Sequence, residues 1–198
     1  MTRLPYVEPA QFTPEQKELY DSIVSGPRAG KRGSLVDAEG HLTGPFNGFL
    51  RLPALGKHWS AIGETLRFRT GLDRKLFELA VLVVASEWRC SHEWAAHSGL
   101  ARDAGLSVTV IAALQTGSTP EFDDSREQVV FEFARELSRQ RRVGDRTYRA
   151  ALDALGEEQL TELVHAVGYY IALAAMLNAF AVKPPASFAN PWQEGNQG

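Results

Sequence analysis

The amino-acid sequence predicts an all-α protein, and three observations support that prediction. Apolar residues recur at helical spacing in several segments that begin at a capping side chain and stop at a glycine or a proline. The valine-rich run 81–84 lies inside one of these longer patterns, and no hairpin signal follows it. The segment 76–84 is apolar all round apart from one carboxylate, which is typical of a buried helix. Helices of this kind bury their surfaces by packing into a bundle.

The first predicted helix follows a capping motif. Thr13 precedes a proline, and a glutamine stands three residues after the threonine, so we expect a helix from there to about Ser25. The segment 26–44 is polar, rich in glycine and without apolar periodicity. It predicts a long loop of the kind that often covers a functional site, and the string GPFN at 44–47 closes it.

Similar signals bound the later helices. A helix is expected from Pro53 to about Arg69, and Asp73 caps the next one, which carries the apolar run. Ser91 is the expected cap of a helix that ends near Gly105. The remaining helices are predicted between Ser107 and Gly117, over 125–140, over 145–155 with Gly156 as the stop, and over 157–181.

The whole chain, residues 1–198, is predicted to fold as a single domain. Its expected parts are an N-terminal helix with the glycine-rich loop (1–45), a helical core (46–183) and a polar tail (184–198). No obvious repeat, low-complexity segment or linker divides it.

The composition argues against several classes of protein. Hydrophobic residues make up 44% of the chain and charged residues 23%, which is enough to build a core, and the net charge is only −3. The scattered Lys and Arg residues argue against a nucleic-acid partner and an anionic membrane surface. The N-terminus lacks the apolar core of a signal peptide, and the longest apolar stretch, 169–182, is interrupted by Asn178. We therefore expect a soluble, cytoplasmic protein that binds a small molecule.

The residues that carry chemistry fall into one pattern, Glu78-x11-Cys90-Ser-His92-Glu93-x3-His97. Glu93 and His97 are four residues apart, so a helix places them on one face within reach of each other. Cys90 lies either one turn earlier on that face or at the helix N-terminus, where a thiolate or carboxylate is favoured. The pattern therefore predicts a thiol, a carboxylate and an imidazole in one small volume.

Each member of this pattern also has a purely structural interpretation. Glu78 lies in an apolar run, so it needs a partner or becomes protonated; it acts either as a tuned acid or base or as the ion-pair partner of an arginine such as Arg51 or Arg67. A lone histidine such as His97 is commonly a hydrogen-bonded core residue, but two carboxylates and a thiol nearby favour a functional role. Trp88 and Trp94 are expected to pack in the core, or else to wall a pocket, and His92 either to be solvated or to support the site. Cys90 is expected to line the pocket.

A metal site or cofactor is not expected. Glu, His and Cys side chains are capable metal ligands, but the Glu-x3-His spacing lacks the paired histidines of a zinc-protease helix. Cys90 is the single cysteine of the chain, so neither an intrachain disulfide nor a CxxC redox pair is possible.

These residues resemble the carboxymuconolactone decarboxylase and alkylhydroperoxidase D family. The redox branch of that family carries Glu-x11-Cys-x-His-Cys-x3-His, which this chain matches at Glu78, Cys90, His92 and His97. Glu93 replaces the second cysteine, the one that attacks the peroxide in the redox branch. A carboxylate does not undergo thiol oxidation, so the departure removes the disulfide cycle.

The decarboxylase branch is similar over most of the chain. The similarity implies an all-helical bundle of the alkylhydroperoxidase D type that assembles into a homo-oligomer, such as a trimer, a hexamer or a dimer. The matching strings are GPFN at 44–47, LR at 66–67, ELA at 78–80, EW-x2-H at 93–97, AGLS at 104–107, GYY at 168–170 and LN at 177–178.

The resemblance leads us to expect a cofactor-free lyase, or a related proton-transfer enzyme, acting on a small oxygenated organic acid, lactone or carbonyl compound. His97 is the expected general acid or base. Glu93 is expected to orient it or share its proton, and Glu78 to tune the pair.

The candidates for holding the substrate come from elsewhere in the chain. A carboxylate of the substrate is expected to bind Arg51 or Arg67 by a two-point contact, each of which is otherwise a solvated surface residue. Asn47 and Tyr169 are the candidates for holding a substrate oxygen.

Two other functions stay open. The first is a thiol-dependent hydroperoxide reductase that uses Cys90 alone with an external thiol. The second is a non-catalytic ligand-binding or assembly module.

Overall fold

A computed structural model describes residues 2–29, 35–184, 188 and 190–192, and the part of the chain it describes is helical, as predicted. The residues 30–34 of the predicted loop and most of the predicted tail lie outside the described residues. Within them the only β-type pairing is an isolated bridge between Val36 and Leu42. The helices are α1 (Pro14–Val24), α2 (Pro45–Arg51), α3 (Pro53–Phe68), α4 (Arg74–Glu87), α5 (Ser91–Asp103), α6 (Val108–Thr116), α7 (Ser125–Gln140) and α8 (Asp145–Ala179), with a short 3-10 segment at Pro9–Gln11.

The capping residues predicted from the sequence bound three of these helices, α1, α4 and α6. Thr13 and Gln16 form the predicted capping box at α1, since the Thr13 hydroxyl accepts from the Gln16 backbone and the Gln16 side chain accepts from Thr13. The Asp73 carboxylate accepts from the first turn of α4, and the Ser107 hydroxyl from that of α6. Gly117 ends α6 at φ 76°, a backbone conformation that favours glycine.

Three boundaries differ from the prediction. GPFN at 44–47 does more than close a loop, because Pro45 is the first residue of the short helix α2. Cys90, rather than Ser91, is the N-cap of α5, and its side chain makes no capping hydrogen bond. Gly156 lies inside α8 with φ 74°, so the two predicted helices run on from each other across a break in the helical backbone.

The contacts group the chain into two compact units. One comprises the residues up to Thr70 together with Met176–Lys183, and the other comprises Gly71–Ala175 together with the described part of the tail. In the first unit α3 packs against α1 and α2. Its core contains Leu19, Ile23, Leu42, Phe49, Leu50 and Leu66.

In the second unit α4 is the central helix and packs against α5, α6 and α7. Residues 76–86 are all buried, which confirms the helix predicted from the continuous apolar run. A carboxylate on such a helix has no access to water, so Glu78 must find its partners inside the protein.

One helix in the described part of the chain, α8, is long and apolar enough to cross a membrane by length and composition alone. Its most apolar window has a mean hydropathy of 1.5, and 44% of that window is buried. The sequence-based prediction considered only the stretch 169–182 and did not anticipate this, because the helix begins well before that stretch. Core helices of soluble proteins have the same two properties, and Leu163, Ala166 and Ala174 of α8 are fully buried.

Candidate active site

Helices α4 and α5 bring Glu78, Glu93 and His97 together. Glu78 lies in the first half of α4, and α5 packs alongside. Glu93 and His97 stand on the same face of α5, as their spacing predicts, with Glu93 in its first turn, where the helix dipole favours a carboxylate. The sequence spacing predicted only the pair of Glu93 and His97, and the packing of the two helices adds Glu78 to it.

The His97 imidazole bridges the two carboxylates. Its Nδ1 lies 2.7 Å from a Glu78 oxygen, and its Nε2 lies 3.5 Å from a Glu93 oxygen. All three side chains are at most 5% exposed. An ionised carboxylate only accepts hydrogen bonds, so an ionised Glu78 requires the hydrogen on Nδ1. The nitrogen left to exchange a proton is then Nε2, on the Glu93 side.

A cation missed by the sequence analysis completes the cluster. Arg74, the first residue of α4, forms an ion pair with the Glu78 oxygen that His97 does not use. The Arg74 side chain is 37% exposed, whereas that of Glu78 is 0% exposed. The signal was present in the sequence, since Arg74 and Glu78 have the i, i+4 spacing of helical neighbours.

Aromatic rings pack against these groups. The Tyr170 ring from α8 meets the His97 ring edge-on at 5.0 Å between centroids, and Phe77 meets Tyr170 in the same manner at 5.8 Å. The Arg74 guanidinium lies 5.2 Å from the centroid of the Phe77 ring. The contacts thus form a closed circuit of five residues, Arg74, Glu78, His97, Tyr170 and Phe77.

Cys90 is buried beside this cluster as a neutral thiol. Burial raises the pKa of Cys90 to about 12, and the negative charge of Glu93 adds to the shift. Hydrogen bonds from backbone amides at the start of α5 oppose the shift but are outweighed. The thiolate that a helix N-terminus was expected to favour is therefore not favoured here, because desolvation is the larger effect.

The two predicted wall residues have different environments. Trp94 is buried, and its ring meets that of Trp192 at 5.1 Å in an edge-on contact. Trp192 comes from the tail and donates its indole hydrogen to the Gln115 carbonyl oxygen at 2.8 Å. Trp88 is the C-cap of α4 and is half-buried, as is His92 in the first turn of α5. Trp94 thus packs against a second tryptophan, a contact that the sequence did not predict.

Two of the predicted substrate-binding residues are engaged in their own unit. The Asn47 amide donates to the Pro5 carbonyl oxygen at 3.1 Å and accepts from the Val7 backbone at the same distance. An Arg51 guanidinium nitrogen donates to the same Pro5 oxygen at 2.5 Å. These contacts hold the N-terminal segment, so both side chains have a structural role in the first unit.

The other two candidates are half-buried. The Arg67 guanidinium lies over the Phe68 ring at 5.4 Å. The Tyr169 ring touches that of Tyr170, the residue packed on His97, at 5.4 Å. Of the four predicted substrate-binding residues, Tyr169 is thus the one that lies in the same unit as His97 and next to a residue in contact with it.

A second histidine, which the sequence analysis passed over, also stands between two carboxylates. His41 Nδ1 lies 2.8 Å from Asp37 and Nε2 lies 3.2 Å from Glu8, while the Tyr6 ring stacks on the imidazole. Within the described residues, Asp37, Glu39 and His41 are the one group of three metal-ligating side chains with all donor atoms within 4.8 Å of one another. The sequence pattern that could have revealed this cluster is Asp37-x3-His41, inside the predicted loop.

Comparisons with known proteins agree with this fold. The model of the carboxymuconolactone decarboxylase family matches residues 53–136, a range that contains Glu78, Cys90, Glu93 and His97. An uncharacterised peroxidase-related protein from Silicibacter sp. has a similar structure, with a TM-score of 0.72 at 14% identity, over 94% of this chain and 93% of that one. A second solved structure, an alkylhydroperoxidase AhpD core described as an uncharacterised peroxidase-related protein from Ralstonia eutropha, gives 0.73 at 14% identity over the same shares. No curated protein matches the chain. At these identities the two structures establish the helical fold.

Proposed function

Since residues 53–136 match the model of the carboxymuconolactone decarboxylase family, we propose that this chain is a cofactor-free enzyme that catalyses proton transfer on a small oxygenated organic acid, lactone or carbonyl compound. Decarboxylation is the leading reaction of this class. His97 is the acid or base, Glu93 shares its proton, and Glu78 orients the imidazole. Tyr169 remains a candidate for holding a substrate oxygen.

The observation that carries the proposal is the buried bridge from Glu78 through His97 to Glu93. A hydrogen bond of 2.7 Å to Glu78 holds one ring nitrogen, so the other faces Glu93 in a fixed direction. When carbon dioxide leaves, the electrons of the broken bond form an enol or carbanion, and a proton must quench it. A positioned imidazole supplies such a proton and contributes about 10²–10⁴-fold in rate.

The state of Cys90 argues against the thiol-dependent alternative. A peroxidase thiol attacks as the thiolate, whereas Cys90 is buried with its pKa raised to about 12. The two structural neighbours are described as peroxidase-related, and that description applies to them. For this chain we expect hydroperoxide turnover to be absent.

One observation favours the non-catalytic alternative. The charged side chains of the cluster pair with one another: Arg74 with Glu78, and His97 with both Glu78 and Glu93. Neither of two surface depressions in the described residues is lined by any of these side chains. A cluster retained for structure alone predicts a large loss of stability when His97 is removed and no reaction to lose. Catalysis predicts that the reaction is lost while the protein stays folded.

The test uses the full chain and a panel of lactones, keto acids and unsaturated carboxylic acids. Release of carbon dioxide and uptake of deuterium from heavy water into substrate carbon positions are measured together, because deuterium uptake reports proton transfer even without decarboxylation. His97→Gln and Glu93→Gln are expected to abolish both signals and to keep the helical circular dichroism. Cys90→Ser is expected to remain active.

His41→Gln is the matched control, because it removes an imidazole held between two carboxylates in the other unit. It is expected to retain full activity. Activity that survives both His97→Gln and Glu93→Gln, or turnover of hydroperoxides that disappears in Cys90→Ser, would overturn the proposal. So would a panel in which no compound reacts while His97→Gln greatly destabilises the fold.

A further inference from the structure

We propose that Arg74 is the positioning residue of this site: by holding Glu78 ionised, it keeps the hydrogen of the His97 imidazole on Nδ1 and leaves Nε2 to exchange a proton with Glu93. The catalytic meaning of this inference rests on the proposed function. The position of the hydrogen is a property of the protein without substrate and is measurable by itself.

The helix gives no reason of its own for an arginine at this position. Arg74 is the first residue of α4, where the helix dipole disfavours a positive charge. An ion pair with the acidic residue on the C-terminal side is also the weaker of the two i, i+4 orders. The helix itself therefore does not favour this arginine, whereas its ion pair with Glu78 and its contact with the Phe77 ring do.

The two oxygens of Glu78 are divided between two partners. One oxygen pairs with Arg74 and the other accepts from His97 at 2.7 Å. A carboxylate with 0% exposure is unstable as an anion unless an opposite charge compensates it. Arginine is always protonated, and with 37% exposure its guanidinium remains partly hydrated while it compensates Glu78.

This pairing compensates the most deeply buried charge of the cluster. Arg74 and Glu78 carry opposite charges, so together they add no net charge to the core beside His97. Nε2 of His97 lies on the other side of the ring, 3.5 Å from a Glu93 oxygen.

The packing around Arg74 limits its freedom to leave. Its guanidinium lies 5.2 Å from the centroid of Phe77, whose ring touches Tyr170, which in turn touches His97. The arginine and the histidine it acts on are thus joined by two independent routes, one charged and one aromatic. A lysine at this position would keep the charge and lose the planar contact.

Without the cation, the hydrogen-bond direction between Glu78 and His97 reverses. In Arg74→Gln, Glu78 takes up a proton because it is an uncompensated buried carboxylate. The resulting carboxylic acid donates to Nδ1, and the imidazole hydrogen moves to Nε2. That nitrogen then donates towards Glu93 and no longer accepts a proton.

The experiment records the nitrogen-15 spectrum of the imidazoles in the full-length protein labelled at histidine. Protonated and bare ring nitrogens resonate far apart, so the spectrum shows which nitrogen carries the hydrogen. The chain has 5 histidines, and the resonances that vanish in His97→Gln identify His97. The wild type and Arg74→Lys are expected to show the hydrogen on Nδ1, and Arg74→Gln is expected to show it on Nε2.

Arg139→Gln is the matched control, because Arg139 pairs with Glu87, another carboxylate of α4. It is expected to leave the His97 resonances in place. A wild-type spectrum with a bare Nδ1, or an Arg74→Gln spectrum identical to that of the wild type, would overturn the inference. If Arg74→Gln does not fold, the wild-type and Arg74→Lys spectra still decide, since a bare Nδ1 in either contradicts it.

An activity measurement separates this inference from the proposed function. On a substrate found with the panel above, Arg74→Gln is expected to lower kcat by about 10² or more with little change in KM, and Arg74→Lys to restore most of it. A protein that turns over no substrate but has the hydrogen on Nδ1 in the wild type and on Nε2 in Arg74→Gln would refute the proposed function and leave the role of Arg74 standing.

Discussion

The two histidines that stand between carboxylates, His41 and His97, invite a direct comparison. Each imidazole has one carboxylate within 2.8 Å of Nδ1 and a second one beyond 3 Å on Nε2. Each also has one of these acids four residues away in the chain. The groups are the same, yet one cluster joins a loop to the N-terminal segment and the other joins two helices of a buried core.

The His41 cluster is open to water. Its Glu8 partner is 57% exposed, and Tyr6 covers one face of the imidazole with the two rings nearly parallel. The hydrogen bond with Asp37, and after it the one with Glu8, raises the pKa of His41. Asp37 also accepts from the backbone amides of Glu39 and His41, so it shapes the turn as well as the cluster.

The His97 cluster is closed to water and includes a cation. Its imidazole and two carboxylates are at most 5% exposed, and Arg74 compensates the more deeply buried acid. Electrostatic interactions are several times stronger in such surroundings than beside solvent. A histidine between two acids is therefore not by itself a sign of catalysis. Burial and charge compensation distinguish the candidate site from the His41 cluster.

The largest expected difference between the clusters is in stability. Glu78→Ala removes one partner from a buried ion pair and is expected to lower the free energy of unfolding by about 3–5 kcal/mol. Glu8→Ala, which removes an exposed acid from His41, is expected to cost about 0–1 kcal/mol. Glu8 is the better match because Asp37 also holds the turn. Urea unfolding, monitored by circular dichroism, measures the free energy of unfolding of both variants. Equal losses would contradict the expected difference between the buried and the exposed cluster.

A second measurement tests whether water is excluded beside His97. With the pKa of Cys90 raised to about 12, we expect its reaction with a thiol reagent at pH 8 to be about 10³-fold slower in the folded protein than in urea. The folded state keeps the thiol proton longer than the unfolded chain, so stability is expected to fall as the pH rises from about 9 to 12. Cys90→Ala lacks this contribution, and an equal slope in that variant would argue against a dry cluster.

The smallest effect concerns His41. Because its pKa is raised in the folded state, its contribution to stability is complete below the unfolded value of about 6.5 and is lost as the pH rises through the folded value. Chemical unfolding at a series of pH values from 5 upwards is expected to show this loss in the wild type and not in His41→Gln. A wild-type free energy of unfolding that rises over the same pH range would contradict a stabilising interaction of protonated His41 with Asp37 and Glu8.

Most of the fold was predictable from local sequence. Thr13 with Gln16, Asp73 and Ser107 cap helices where their spacing predicts it, because a cap depends on residues within one turn. The helix α2 was missed, since a seven-residue helix has too little periodicity to recognise. The Cys90 cap was missed because its side chain makes no capping bond.

The site was predictable only in part. The i, i+4 spacing placed Glu93 beside His97 correctly, and the isolation of Glu78 in an apolar run predicted that it needs a partner. The identity of that partner was not predicted, although Arg74 stands one turn away, because helical spacing alone does not reveal which of several arginines is used. The contact of Tyr170 with His97 joins residues far apart in the chain and has no local signal.

The sequence by itself thus determined most of the helices, the face shared by Glu93 and His97, and the impossibility of an intrachain disulfide with a single cysteine. The packing of α4 on α5 and α8 decided the rest: Glu78 meets Nδ1, Tyr170 covers the imidazole, and Cys90 stays protonated. The physical reason is that capping and spacing act over a few residues, whereas desolvation depends on every element that surrounds a group. Capping and spacing can therefore be predicted from neighbouring residues, whereas desolvation is determined only once the helices have packed.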